Sequence, residues 1–152
     1  MLPETALFRT DPDKQGILAE WYGTNLKAMD WSRLRLDRSW GRQGILGTNG
    51  MPYEGIGWYR IATQLTPAQT KGRVKLSFPG LMGQEMWLWV NGRYIGYQTS
   101  REDFTFDLSD TLAPGKNLIA VRADGKRSKR DCPFAYSGGI ALRPVLYRTL
   151  GE

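Results

Sequence analysis

Hydrophobic and polar residues alternate with a period of two along much of the chain. Residues 73–78 set Val74, Leu76 and Phe78 on one side and Lys75 and Ser77 on the other, and Pro79-Gly80 ends the run. This pattern predicts a strand with one buried face. Residues 57–65 alternate Tyr59, Ile61, Thr63 and Leu65 against Trp58, Arg60, Ala62 and Gln64, and residues 104–108 repeat the pattern. Residues 31–36 predict an edge strand, and residues 118–123, apolar on both faces, predict a central one. Leu7-Phe8-Arg9 predicts a first short strand before a turn at Asp11-Pro12-Asp13, and residues 109–113 predict a capped turn. Residues 140–147 predict a last strand broken at Pro144, as at an edge or bulge. Residues 16–22 read as irregular, and residues 41–57, with six glycines and Pro52, read as a long loop. About eight short strands, tight turns and no long helix predict an all-β fold: a single β-sandwich of jelly-roll type, one domain over residues 1–152.

The strongest local signal is Asn91-Gly92, between residues 84–90 and 93–97. A two-residue type I′ turn requires positive φ at both central positions, which asparagine tolerates and glycine adopts freely. A regular ladder from that turn pairs Val90 with Arg93, Trp89 with Tyr94, Leu88 with Ile95, Trp87 with Gly96 and Met86 with Tyr97. Met86, Leu88, Val90, Ile95 and Tyr97 then face the core. Trp87, Trp89 and Tyr94 share the opposite face, which lies under the 41–57 loop, docks against another domain, or forms a platform for a glycan.

Composition narrows the function classes. With 41% hydrophobic and 24% charged residues, the chain has enough apolar content to fold around a core. No apolar run is long enough to span a membrane, and no basic-then-apolar leader opens the sequence. The single cysteine, Cys132, excludes an internal disulfide and reads as an inert packed thiol, which leaves the compartment open. The net charge of +6 owes much to Arg122, Lys126, Arg127, Lys129 and Arg130. These residues read as a solvated basic loop, or as a contact for an acidic partner such as a uronate or sulfated glycan. Nucleic acid fits less well, because no recognition helix or RNA-binding aromatic motif accompanies the charge.

Four segments, in order, carry a resemblance. They are Gly55-Ile56-Gly57-Trp58-Tyr59-Arg60; Trp89-Val90-Asn91-Gly92-Arg93-Tyr94-Ile95-Gly96; residues 112–122, which contain Ala113-Pro114-Gly115-Lys116-Asn117-Leu118; and Gly138-Gly139-Ile140 with Arg143-Pro144-Val145. Trp31, Trp40 and Gln43-Gly44 fit a weaker opening segment. Together they resemble the N-terminal sugar-binding domain of glycoside hydrolase family 2, the β-galactosidase and β-glucuronidase group, over most of residues 8–148. The resemblance implies a galactose-binding-like jelly roll, joined in a parent enzyme to an immunoglobulin-like domain and to a barrel that holds both catalytic glutamates. A chain of 152 residues has no room for that barrel, so the resemblance implies an accessory domain.

The residues themselves agree with a non-catalytic reading. Glycoside hydrolysis needs two placed carboxylates, and none of the fifteen acids sits in a recognisable motif. Histidine is absent, which removes the commonest general base. Sugar binding instead needs aromatic planes beside planar polar groups. The resemblance implies that Asn49 and Asp131, in the loops before Gly-x-Trp-Tyr and before the last strand, line the rim of the enzyme's active site. Trp87, Trp89 and Tyr94 are the platform candidates, and Arg60 reads as an ion-pairing or stacking residue. Asn49 also reads as a turn residue of Thr48-Asn49-Gly50. No catalytic residue and no cofactor is expected, and a structural Ca²⁺ is left open. The rival readings are a free-standing carbohydrate-binding module and a structural spacer.

Overall fold

The computed structural model describes residues 2–79, 84–100, 104–125 and 138–150. Among these residues nine strands run in order: β1 (Thr5–Thr10), β2 (Ser32–Arg35), β3 (Ile56–Leu65), β4 (Arg73–Phe78), β5 (Gln84–Val90), β6 (Arg93–Ser100), β7 (Phe104–Asp107), β8 (Gly115–Asp124) and β9 (Val145–Thr149). They form two antiparallel sheets, one of six strands ordered β2-β1-β3-β8-β5-β6 and one of three ordered β7-β4-β9. The sheets pack as a sandwich. Tyr59, Ile61, Met86, Leu88, Val90, Ile119 and Val121 of the large sheet meet Leu76, Phe78, Phe104 and Phe106 of the small one. Fully burying a large apolar side chain contributes about 1.5–3 kcal/mol, so the inward rows supply the main driving force.

The period-two segments form strands where the alternation predicts them. The run apolar on both faces becomes β8, central between β3 and β5. The last strand is shorter at its start than its pattern suggests: residues 141–144 are irregular and pairing with β4 begins at Val145. Pro144 has no N–H to give to a ladder. The 109–113 turn forms, but Ser109 does not cap it as a helix. Its N–H donates to Asp107 Oδ1 at 2.9 Å, and its Oγ accepts from Val74 N at 3.1 Å.

The Asn91-Gly92 turn has φ of 50° and 84°, as a type I′ turn requires. The register expected beyond it holds for two pairs only. Val90 faces Arg93 and Trp89 faces Tyr94, but Leu88 then faces Gly96, Trp87 faces Tyr97 and Met86 faces Gln98. A β-bulge at Ile95 inserts the extra residue. Tyr97 therefore leaves the core face, its ring 4.9 Å from that of Trp87, while Ile95 packs against the core. The available signal was Gly96 inside a strand, a residue that commonly marks a bulge.

Candidate functional site

Two surfaces carry the residues singled out by the sequence. The first is the end of the sandwich where the 41–57 loop meets Gly138-Gly139, organised by the fully buried Trp40. Trp40 N donates to Gly138 O at 2.9 Å, and its Nε1 donates to the Tyr59 hydroxyl at 2.9 Å. The same hydroxyl accepts from Ile140 N at 3.1 Å. Gly139 has φ of 104°, and a Cβ there would lie 2.6 Å from Trp40 Cδ1 and 2.8 Å from the Tyr59 oxygen. The Gly-Gly-Ile motif thus makes room for an indole and supplies the tyrosine's second donor. Burial pushes the Tyr59 phenol far up, so it stays neutral.

The loop that leaves Trp40 is ordered by its own polar groups. The Gln43 side chain accepts from Arg35 N at 2.8 Å and donates to Arg35 O and Arg38 O, tying the loop to β2. Leu46 bridges Pro52, and Gly47 N donates to Met51 O at 2.8 Å, so residues 46–52 make a small protruding turn. Asn49 stands exposed at its tip, where Oδ1 accepts from Met51 N at 3.0 Å. The turn role read from Thr48-Asn49-Gly50 is therefore real. Leu46 and Met51 beside it are also exposed, at 52% and 40%. Gly125 N donates to Gly55 O at 2.9 Å, and a Cβ on Gly125 would come within 2.8 Å of Gly138 Cα. The chain thus departs for residues 126–137 and returns from them at the end that bears Asn49. Asp131, Cys132 and the Lys126, Arg127, Lys129, Arg130 cluster lie outside the described residues. Among the described residues no group of three or more histidine, cysteine or acidic side chains is placed to hold a metal ion.

The second surface is the outer face of the large sheet, where the register lines up three cross-strand rows. Arg60, Ala120, Trp89 and Tyr94 form one; Trp58, Arg122, Trp87 and Tyr97 the next; Ile56, Asp124, Glu85 and Thr99 the third. The 41–57 loop does not cover this face: Ile45 and Tyr53 pack into the inter-sheet core instead. The cover is residues 11–31, which carry Trp21, Tyr22 and Trp31 onto Trp58 and Trp89 in a second apolar cluster. Asp11 anchors it, accepting from Gln15 N, Gly16 N and Trp58 Nε1 at 2.8, 2.9 and 3.0 Å. Arg60 anchors the other side, with Nη1 donating to Trp21 O at 2.6 Å and Gly23 O at 2.8 Å. Its guanidinium also lies over the Trp31 ring, 5.9 Å from the centroid, so Arg60 is a structural stacking residue. Asp11 escaped the sequence reading because an Asp-Pro-Asp turn gives no sign of a partner 47 residues away.

The platform candidates separate on this face. Trp89 is buried, its ring between Tyr22 (5.0 Å, 6° between planes) and Trp58 (5.1 Å). Trp87 is half-buried, with the Arg122 guanidinium 4.2 Å from its centroid on one side and Tyr97 on the other. Tyr94 and Tyr97 are exposed. Arg122 is part of β8 rather than of a solvated loop, and its burial lowers the guanidinium's pKa.

No family model matches the chain. Over 66 residues, 43% of its length, it is 42% identical to the β-galactosidase of Pseudoalteromonas haloplanktis, and that stretch is 6% of the enzyme. A glycosyl hydrolase family 2 member from Bacteroides cellulosilyticus is similar over 94% of the chain, with a TM-score of 0.70 and 28% identity. A calcium-binding mutant of Bacteroides uniformis β-glucuronidase 2 is similar in fold over 96% of the chain, with a TM-score of 0.73 and 19% identity. The chain spans 19% and 17% of those two structures. In sequence and in fold it is a β-sandwich homologous to one small region of the family 2 glycoside hydrolases, the group of β-glucuronidases and β-galactosidases.

Proposed function

We propose that the chain is a non-catalytic, carbohydrate-recognising domain of a larger family 2 glycoside hydrolase, in which the Asn49 turn helps to form the rim of a sugar site. The observation that carries this reading is the Trp40 anchor. It fixes a protruding turn with an exposed amide and two exposed apolar side chains at the end where Gly125 and Gly138 meet. A rim of this kind is completed by other domains of the parent, a catalytic barrel and an immunoglobulin-like domain. Asp131 is the second polar group proposed for it. Alone, so shallow an edge buries little sugar surface, and association must first overcome several kcal/mol of lost rigid-body freedom. Binding by the isolated chain is therefore expected at about millimolar affinity or weaker.

Two measurements test this. The purified chain is expected not to turn over aryl β-glycosides, and turnover abolished by one Asp or Glu substitution would overturn the non-catalytic reading. In the parent enzyme Asn49→Ala is expected to lower kcat/KM about tenfold, the loss of roughly one hydrogen bond to a bound sugar, with the melting temperature nearly unchanged. An unaltered kcat/KM would remove Asn49 from the rim.

A further inference from the structure

We infer that Asn49-Gly50 is a self-modification site, where the Gly50 backbone nitrogen converts the Asn49 amide to aspartate and isoaspartate through a cyclic imide, and that the fold blocks the same reaction at Asn91-Gly92. The dipeptide Asn-Gly occurs at both places. Glycine has no Cβ to hinder a side chain that turns back onto the next peptide nitrogen, so the sequence gives the two pairs the same chemistry. The structure separates them.

At Asn49 the reacting groups are already gathered. Thr48, Asn49 and Gly50 are all exposed. Asn49 Oδ1 accepts from Met51 N at 3.0 Å, a local turn that folds the carboxamide back over the Gly50 peptide. The same bond draws electrons from Asn49 Cγ, the atom to be attacked. Among the described residues Nδ2 has no partner, so nothing holds the leaving nitrogen. One bond opposes the reaction: Gly50 N donates to Gly47 O at 3.1 Å. It sits at an exposed tip, where local opening costs little. Once hydroxide has taken the Gly50 N–H proton, the nitrogen bonds to Cγ and the Cγ–Nδ2 bond breaks. The departing nitrogen takes a proton from water and leaves as ammonia, which restores the hydroxide. Water then opens the imide at Cγ to give aspartate, or at the Asn49 backbone carbonyl to give isoaspartate. Overall one water is consumed, one ammonia is released and no electrons are transferred.

The Asn91 carboxamide, by contrast, is held at both ends. Oδ1 accepts from Leu118 N at 2.8 Å, and Nδ2 donates to Asn117 Oδ1 at 2.9 Å and to Thr111 O at 3.5 Å. Asn117 is buried, and its Oδ1 also accepts from Ala113 N at 2.9 Å, so this partner is itself fixed. These bonds draw the amide toward β8 and away from the peptide that follows it. To reach Gly92 N it must give them up together, which ties the reaction to opening of the hairpin turn. Where Asn49 serves the rim, its conversion removes both amide donors and brings a negative charge there, a consequence that rests on the proposed function.

The purified full chain, aged in mildly alkaline buffer at physiological temperature and mapped by proteolysis and mass spectrometry, tests the inference. Asn49 is expected to show the mass gain of an amide-to-acid conversion, as a mixture of aspartate and isoaspartate. Asn91 should react at least about tenfold more slowly in the folded chain. In urea the two rates should converge, because only the fold distinguishes the pairs. Gly50→Ala is expected to slow conversion of Asn49 about tenfold, since its methyl group hinders the approach to the nitrogen. A Cβ at Gly50 would meet nothing within 4 Å, so the variant is expected to fold. Folded-state rates alike at Asn49 and Asn91, aspartate without isoaspartate, or a rate at Asn49 that ignores Gly50→Ala would each overturn the inference. The rim is tested apart from it: in the parent enzyme Asn49→Asp is expected to lower kcat/KM about tenfold. An unchanged kcat/KM would overturn the rim reading and its consequence, not the modification.

Discussion

Trp58 Nε1 donates to Asp11 Oδ2 at 3.0 Å, joining β3 to a turn 47 residues earlier. Asp11 is 1% exposed and also accepts from Gln15 N and Gly16 N, so one carboxylate satisfies three donors. A Cβ on Gly16 would lie 2.5 Å from Trp58 Nε1, which shows how closely the turn is drawn onto the indole. The aromatic face is therefore sealed by a polar anchor as well as by apolar contact.

Asp11→Asn is expected to destabilise the fold although it conserves size. One carboxylate oxygen becomes an NH₂ facing a donor, and each buried unsatisfied group costs about 1–3 kcal/mol. Urea unfolding should show a lower midpoint with little change in slope. An unchanged midpoint would mean that the cover is held by stacking alone.

Tyr59→Phe removes the acceptor shared by Trp40 Nε1 and Ile140 N and leaves two buried donors unpaired. A loss of about 2 kcal/mol or more is expected. Gly139→Ala attacks the same junction by sterics, with overpacking that costs about 1–3 kcal/mol in addition to strain at positive φ. The double variant should be less destabilised than the two losses added, because both release the same indole. Strict additivity in denaturant melts would place the effects in separate sites.

Gly92→Val isolates backbone strain, because a Cβ at Gly92 would meet nothing within 4 Å. Its φ of 84° should still cost a β-branched residue about 1–3 kcal/mol. Asn91 does more than permit the turn: Oδ1 accepts from Leu118 N at 2.8 Å and Nδ2 donates to Asn117 Oδ1 at 2.9 Å. Asn91→Gly, which relieves the turn, is therefore expected to lower the melting temperature rather than raise it. A higher melting temperature would show that those cross-links add nothing.

Burial pushes the Tyr53 phenol up to about 12, and its hydroxyl donates to Ile56 O at 2.8 Å. The unfolded phenol ionises near its ordinary value of about 10. Between these values the folded state binds the proton more tightly, so stability is whole below about pH 10 and falls as pH rises through the folded pKa. Melting temperatures measured from pH 8 to 12 should decline above about pH 10. Tyr53→Phe should decline less steeply there, and an identical slope would assign the alkaline loss elsewhere.

The sequence by itself determined what depends on near neighbours. Alternation in residues 73–78 and 57–65 set their inward faces, because side chains of a strand have a period of two whatever it pairs with. Asn91-Gly92 set the turn, since positive φ is a property of the residues that occupy it. The order of the Gly-x-Trp-Tyr, Asn-Gly and Gly-Gly-Ile segments was enough to point to the family. Only the tertiary structure decided what covers what. Residues 11–31 have no regular period because Asp11, Trp21 and Tyr22 answer to Trp58, Arg60 and Trp89 on distant strands. The bulge at Ile95 moved Tyr97 to the outer face, since an extra residue reverses every later side chain and its position is fixed by pairing with β5. Arg122 belongs to a basic cluster in the sequence and to an aromatic, acid-lined row in the fold. Charge is written along the chain, but its surroundings are set by the strands that flank it.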